Sequence, residues 1–420
     1  MTRLLPAVDR NGRIVLAAKA VRAFAFGLNS VALGLYLAEL GLPSLEIGLI
    51  LAGALLGTML LTLVIALRGD RIGRRRLLVV GSALMVLAAL VPVVHGHPFV
   101  LVLIGLTGMI AVTSNESTGL HSVDQAILPQ TVAERDRTSA FALYSVVAFG
   151  ATAVGSLSVG PLTALGAAAG LAGADRFAPA FLVYAAAGIV AAFLASRLDG
   201  TAEVGARVER GFAIRRSRAI VARLSALFAV DSFAGGLVVQ SFLAYWFVER
   251  FALDPASIGV LFAAGSVVGA ASFPIAAWLG NRFGLIRTMV FTHMPGSLLL
   301  IAMALVPDDA AALAAALYLG RALLSSMDVP TRQSYVMAVV DPSERTATAG
   351  VTSLARSASQ SVAPLAAGAL LLPLGLGAPL IACGALKIAY DVALFGLFHA
   401  RPAPGEQGEE RVRPSAGAAR

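Results

Sequence analysis

The chain has few charged residues and almost no cysteine. Only 13% of its 420 residues are Asp, Glu, Lys or Arg, 58% are hydrophobic, and Cys383 is the single cysteine. Soluble globular domains carry about 25% charged residues, so this composition excludes an ordinary soluble domain, and one cysteine excludes an internal disulfide framework. A phosphate-binding loop, a Gly-x-Ser-x-Gly elbow and a Cys/His metal spacing are also absent from the sequence. We therefore expect no enzyme activity, no cofactor and no metal site.

Long apolar runs take the place of these motifs. They recur along the whole chain with lengths of about 20 residues, which is what a helix needs to cross a bilayer. The mean hydropathy is +0.83. The pattern predicts an all-α polytopic membrane protein. Its twelve transmembrane helices, called spans 1–12, are predicted near residues 14–38, 45–67, 77–94, 99–120, 139–165, 177–197, 222–248, 256–279, 288–306, 310–337, 346–372 and 377–399.

The sparse charges are distributed unevenly between the two sides of the membrane. The net charge is +8, which by itself would also suit a nucleic-acid-binding protein. If both termini are cytoplasmic, however, only Arg176 and Arg250 fall in outer loops, and most other basic residues fall in cytoplasmic segments. This asymmetry is the positive-inside pattern. It predicts cytoplasmic termini and contact with membrane lipids, not with nucleic acid.

The two halves of the chain repeat each other. Ala66–Arg76 (ALRGDRIGRRR) recurs in degraded form as Ala277–Arg287 (AWLGNRFGLIR), and Arg137–Ser145 recurs as Arg345–Ser353. Each repeated unit is a bundle of six spans, and two such bundles can rock about a central path, as in transporters. The predicted organisation is a first bundle over residues 1–198, a basic cytoplasmic linker over 199–221, a second bundle over 222–400 and a disordered tail over 401–420.

The first copy of the repeat resembles the signature loop of the major facilitator superfamily, Gly-x-x-x-Asp-Arg-x-Gly-Arg-Arg-Arg. Asp70, Arg71, Gly73 and Arg74 match this scheme, and Ala66 replaces its leading glycine. The resemblance covers the whole chain. It implies two pseudo-symmetric six-helix bundles, alternating access and a monomer. It also implies a conformational latch at Asp70, Arg71 and Arg74, with Gly73 at the turn. Alternatively, the arginines only set the topology.

Charged residues inside the predicted spans form the candidate proton or substrate path. Charge within a membrane is costly, so such residues usually face a cavity or a partner. The candidates are Arg22, Glu116, Asp231, Arg321, Asp328 and Arg356.

Asp231 is the principal candidate, because it lies in span 7 as the repeat counterpart of Arg22 in span 1. The resemblance implies that spans 1, 4, 7 and 10 line the central cavity. One hypothesis makes Asp231 a proton or cationic-substrate site modulated by Arg22. The other makes Arg22 and Asp231 a permanent ion pair that joins the two halves.

In span 10, Arg321, Ser325, Asp328 and Arg332 follow one another at helical spacing and share one face. They predict either a water-filled path or, for Asp328 and Arg332, an ion pair within the helix.

Four charged residues of the spans carry separate expectations. Lys387 and Asp391 have the same i,i+4 spacing in span 12, for which we expect a structural pair. Arg356 has no local partner and is expected to bind across helices or to meet an anion. Glu116 is either a second protonatable group or a hydrogen-bonded structural residue.

The sequence thus predicts a secondary active transporter in the inner membrane of a bacterium. Its expected partners are a small-molecule substrate, protons and lipids. The leading expectation is proton-coupled export of a small amphiphilic metabolite or drug. The first alternative is proton-coupled uptake of an organic anion, suggested by Arg22, Arg321 and Arg356. An alternative of another class is a membrane sensor that transports nothing.

Overall fold

The computed structural model describes residues 8–94, 96–113, 119–203, 216–341 and 344–399, apart from the side chains of Asp70, Arg135, Thr138 and Thr346. Glu116 and the predicted tail over 401–420 lie outside the described residues. In the described part of the chain, eleven helical stretches are long and apolar enough to cross a membrane. The all-α polytopic prediction is therefore confirmed.

Spans 1–6 form the first bundle. Span 1 begins where the Asp9 carboxylate accepts the backbone N–H of Gly12 at 2.7 Å, a side-chain cap of the free N–H groups of the first turn. The helices of this bundle are Arg10–Glu39 (span 1), Ser44–Ile72 (span 2), Arg74–Val94 (span 3), Pro98–Gly105 and Gly119–Ile127 (span 4), Arg137–Leu157 and Val159–Ala168 (span 5) and Ala178–Ser196 (span 6).

Spans 7–12 form the second bundle. Asp254 caps span 8 in the same way, through the backbone N–H groups of Ala256 and Ser257, with Pro255 at the first helical position. The helices are Arg218–Leu237 and Gln240–Phe251 (span 7), Pro255–Phe283 (span 8), Leu285–Ala304 (span 9), Ala311–Ser325 and Asp328–Val339 (span 10), Arg345–Leu374 (span 11) and Ala378–Phe398 (span 12).

Span 4 is interrupted, so the prediction of one continuous helix over 99–120 is wrong. Its first helix ends at Gly105, and Gly108 has a left-handed backbone with φ of 74°. A Cβ on Gly108 would lie 2.6 Å from the carbonyl oxygen of Gly57 in span 2. Glycine therefore permits both the turn and the close approach of the two backbones.

Span 7 is interrupted at Val238, whose backbone (φ −132°, ψ 58°) is not helical. Gly235 and Gly236 precede the break, and Val238 is followed by Val239. Glycine weakens a helix interior and β-branched residues fit one poorly, which explains why the break falls here.

The two bundles pack against each other through span 2 on span 11, span 5 on span 8, and span 1 on the second helix of span 7. We call the end where residues 199–221 join the bundles the linker end, and the opposite end the hairpin end. At the hairpin end, glycines bring the backbones together. A Cβ on Gly34 would lie 2.2 Å from the Ser241 carbonyl oxygen, and one on Gly48 would lie 2.6 Å from that of Pro364. The hairpin end is therefore closed.

Candidate functional site

A cavity lies between the two bundles, beside the helix breaks. Its larger part, about 310 Å³, is lined by spans 7, 8 and 10 together with Phe149 of span 5 and Thr113 of span 4. Its smaller part, about 180 Å³, is lined by spans 1, 2 and 4 and by Ser357 of span 11. Thr113 and Gln360 border both parts. Non-helical backbone at membrane depth is tolerated where it lines such a cavity.

Arg321 of span 10 is, among the described residues, the only charged residue that lines either part of the cavity. It makes no ion pair with a described carboxylate. Neutral polar groups lie near it in the lining. One is Gln240, whose buried Nε2 has no hydrogen-bond partner among the described residues. Phe262 and Tyr318 add an apolar wall, with ring centroids 5.1 Å apart.

Asp231 lies at the centre of a buried charged cluster in the second bundle. Lys387 Nζ of span 12 donates to its Oδ1 at 2.6 Å. Arg332 Nη1 of span 10 and Arg356 Nη1 of span 11 each donate to its Oδ2 at 3.4 Å. Arg332 also binds Asp328. Three cations from three spans therefore hold one carboxylate of span 7, and the predicted Asp328–Arg332 pair is present.

His293 of span 9 completes the charged cluster. Its Nδ1 lies 3.0 Å from Asp391 Oδ1, and its Nε2 lies 3.3 Å from Lys387 Nζ. The expected Lys387–Asp391 pair is therefore wrong, because each residue turns to a neighbouring span instead of along its own helix. The members of the cluster are Asp231, His293, Asp328, Arg332, Arg356, Lys387 and Asp391.

Arg22 has a partner within its own bundle. It forms an ion pair with Asp124 of span 4, and both side chains are fully buried. Tyr144 of span 5 donates its hydroxyl to Asp124 Oδ2 at 3.0 Å. The alternative in which Arg22 pairs with Asp231 across the halves is therefore wrong for this conformation.

Each bundle contains an ion pair at the equivalent place, and the two pairs have opposite polarity. Arg22 and Asp124 of spans 1 and 4 correspond by the repeat to Asp231 and Arg332 of spans 7 and 10. The first pair places the cation on its first span, whereas the second places the anion there. The two halves thus share the contact and differ in which span carries which charge.

The signature loop makes its described contacts with the first bundle and with the start of the predicted linker. Gly73 takes φ of 94° at the turn. The Glu203 carboxylate, at the start of the predicted linker, accepts the backbone N–H groups of Arg74 and Arg75 at 2.8 and 2.9 Å. The Arg74 guanidinium donates to the Ala202 carbonyl at 3.2 Å. Arg71 is exposed. The latch stays a prediction, because the Asp70 side chain is not among the side chains that the structure describes.

Hydrogen bonds at the helix breaks join the two bundles. The Ser241 Oγ of span 7 donates to the Ser30 carbonyl of span 1 at 2.7 Å. Its backbone N–H donates to the Val112 carbonyl of span 4 at 3.1 Å. Within the first bundle, the Asn29 amide of span 1 donates to the Ala111 carbonyl of span 4 at 3.0 Å. The interrupted backbones of spans 4 and 7 thus satisfy each other and close the cavity toward the hairpin end.

Comparison with known proteins decides the family. The model of the Major Facilitator Superfamily matches residues 15–322 and 224–418, which together span nearly the whole chain. The chain belongs to the major facilitator superfamily. It is therefore a secondary transporter, as the signature loop predicts.

Relatives of this facilitator give no common substrate. An uncharacterized membrane protein of Saccharomyces cerevisiae is 24% identical over 431 residues, covering 93% of this chain and 94% of that protein. The solved nucleoside transporter NupG aligns with a TM-score of 0.74 and 10% identity, over 93% and 99% of the two chains. A bacterial homologue of the iron transporter ferroportin, inward-facing, aligns with a TM-score of 0.69 and 15% identity, over 92% and 98%. At identities of 10% and 15%, the likeness to these two structures shows that the fold is shared and says nothing of the substrate.

Two residues of this facilitator's site, His293 and Ser241, were not predicted from the sequence. His293 is the one histidine in the interior of a predicted span of the second bundle, since His399 is the last residue of span 12, and that isolation is a usable signal. Ser241 is one of several serines within the spans, and a serine in a span carries no signal alone. Its role depends on the break in span 7, which hydropathy does not reveal.

Proposed function

We propose that this facilitator takes up a small organic anion with an apolar body, together with a proton, by alternating access. We place it in a bacterial inner membrane with both termini in the cytoplasm, following the distribution of basic residues. The supporting observation is Arg321, the cavity-lining cation that makes no ion pair with a described carboxylate.

A cation in this position favours an anionic ligand on energetic grounds. At about 4 Å and an effective dielectric constant of about 20, two opposite unit charges attract by about 4 kcal/mol. Desolvation of both groups offsets part of this energy. The rings of Phe149, Phe262 and Tyr318 suit an apolar body, and a lining volume of about 310 Å³ suits a small one.

The same lining argues against export of a cationic amphiphile. Such a substrate needs an acid in the cavity, and none of the described lining residues is acidic. Asp231 is held by Lys387, Arg332 and Arg356, so a cationic substrate would have to displace a resident cation. The anion alternative is therefore better supported than export of an amphiphile that carries a positive charge.

Substitution of Arg321 tests this proposal. The probe is radiolabelled benzenesulfonate in proteoliposomes, because it stays ionised at every pH used and does not cross the bilayer as a neutral acid. We expect Arg321→Gln to lower uptake at limiting probe by at least tenfold, since the ligand loses its counter-charge. Arg321→Lys should retain more uptake than Arg321→Gln.

The matched control is Arg287→Gln, which removes an exposed arginine at the linker end. It should transport as the wild type does. Wild-type proteoliposomes that take up no benzenesulfonate, or an Arg321→Gln variant with unchanged uptake, would contradict the anion proposal.

A further inference from the structure

We propose that His293 takes up the coupled proton and transmits it to span 7 by displacing Lys387 from Asp231. This inference rests on the proposed proton coupling and assigns it to particular atoms. It uses the one uncharged titratable imidazole in a cluster whose other described members are carboxylates and strong bases.

The surroundings of His293 fix the state of its ring. An ammonium group only donates hydrogen bonds, so the Nε2 that lies 3.3 Å from Lys387 Nζ must accept. The ring proton is then on Nδ1, which donates to Asp391 at 3.0 Å. These two contacts are those of a neutral ring.

A second proton on His293 breaks this arrangement. Nε2 would become a donor facing the Lys387 ammonium, so one hydrogen bond is lost and two like charges meet. A carboxylate oxygen that could accept from it, Asp231 Oδ1, lies 3.8 Å from Nε2 and is already bound by Lys387 at 2.6 Å. The imidazolium and the ammonium therefore compete for one carboxylate oxygen.

This competition acts on span 7, because Asp231 belongs to that span. Asp231 lies seven residues before the break at Val238, and a Cβ placed on Gly235 would lie 3.9 Å from Lys387 Nζ. Gly235 also lines the cavity. Beyond the break, Ser241 holds the hairpin end closed through Ser30. A change of partner at Asp231 thus acts between the cavity and the closing contact.

The charge balance of the cluster links the proton to the anion. Three carboxylates, Asp231, Asp328 and Asp391, face three fixed cations, Arg332, Arg356 and Lys387, and the Tyr390 ring packs on His293 at 5.9 Å. A protonated His293 gives this balanced cluster one positive charge next to the cavity. Each of the two ligands then favours binding of the other, because coupling between sites is reciprocal.

The experiment reads span 7 directly and needs no substrate. Trp246 is fully buried in the second helix of span 7, whereas Trp278, the other tryptophan, is exposed on span 8. In a Trp278→Phe background, we expect the emission of Trp246 to change between pH 8 and pH 5, where histidine titrates.

Two variants make the test specific. His293→Asn should abolish the pH-dependent change. Lys387→Gln should give, at pH 8, the emission that the background protein shows at pH 5. His121→Asn and His399→Asn are matched controls, in the first bundle and at the exposed end of span 12, and should titrate as the background does. Absence of any titration in the background protein, or an unchanged titration in His293→Asn, overturns the proposal.

Flux measurements separate this inference from the proposed substrate. With a one-unit pH gradient and one proton per anion, wild-type proteoliposomes should accumulate benzenesulfonate about tenfold, since one unit corresponds to 1.36 kcal/mol. His293→Asn should lose this accumulation and keep exchange of external for internal probe. A Trp246 titration without benzenesulfonate uptake would refute the substrate class and leave the assignment of His293 supported. Undiminished proton-driven accumulation in His293→Asn would refute that assignment.

Discussion

Individual buried charges in this protein depend on partners from other helices. Arg22 and Asp124 are fully buried, so neither can be solvated by water if the other is removed. Breaking such a pair usually costs about 3–5 kcal/mol, because it leaves an uncompensated charge. The second bundle shows that the same contact also works with its charges exchanged.

This leads to a prediction at the scale of two residues. Arg22→Leu and Asp124→Leu should each lower the free energy of unfolding by about 3–5 kcal/mol. The exchange variant Arg22→Asp with Asp124→Arg reproduces the polarity of the second bundle and should recover a large part of the loss. Thermal unfolding of the detergent-purified variants measures this. An exchange variant less stable than both single variants would contradict it.

Sequence reasoning located these charges but not all of their contacts. The Asp328–Arg332 pair was predictable because both residues lie one turn apart on the same helix. Asp231 and Arg22 were recognised as repeat counterparts, yet counterparts occupy equivalent places in different bundles and need not touch. Lys387 could have reached Asp391 along span 12. Its actual partner, Asp231, depends on how spans 7 and 12 pack, which spacing along one chain does not encode.

At the scale of helices, a carboxylate accepts backbone N–H groups at each described end of the linker region. Glu203 accepts two backbone N–H groups at the start of span 3. Glu344 accepts those of Arg216 and Ser217, next to the start of span 7. At the start of the linker, hydrogen bonds from Thr201 and Asn11 to Asp199 lower the pKa of that carboxyl. The ends of the linker are thus fixed to the bundles they join.

We predict that removing the Glu203 cap loosens span 3. Glu203→Ala should lower the free energy of unfolding by about 0.5–2 kcal/mol, the usual cost of losing a helix cap. Glu134→Ala is the control, since Glu134 is exposed and its ion pair among the described residues is with the nearby Arg137. Thermal unfolding in detergent gives the comparison, and equal midpoints for the two variants would count against the capping role.

Hydropathy predicted where the spans lie but not where they are interrupted. Span 4 reads as one apolar run, because Gly105 and Gly108 are as compatible with an apolar segment as with a turn. The break becomes evident only when Gly57 of span 2 packs against them. The cavity is lined by these breaks, so it could not be predicted from the sequence. Its lining residue Arg321, by contrast, was among the predicted candidates.

At the scale of the whole molecule, the closed hairpin end allows a test of whether the two bundles rock against each other. Gly34→Val places side-chain atoms where the Ser241 carbonyl now lies, so it should shift the population toward conformers closed at the linker end. Spin labels on cysteines at positions 76 and 287, both exposed at that end, should then show a shorter mean distance. Cys383 is the only native cysteine and is buried, so labelling is confined to the introduced sites.

Gly150→Val is the control for this measurement. A Cβ at Gly150, also a helical glycine of the first bundle, meets no atom within 4 Å. It should leave the label distance unchanged. An unchanged distance in Gly34→Val would mean that the glycine contact does not determine which end is closed.

The reversed polarity of the two ion pairs also bears on how the chain assembles. During insertion, spans of both halves share one membrane, and their similar sequences invite pairing with the wrong half. If span 1 paired with span 10, Arg22 would meet Arg332, and if span 7 paired with span 4, Asp231 would meet Asp124. Like charges buried together are strongly disfavoured. The opposite polarity of the two ion pairs therefore favours pairing of each span with a span of its own bundle.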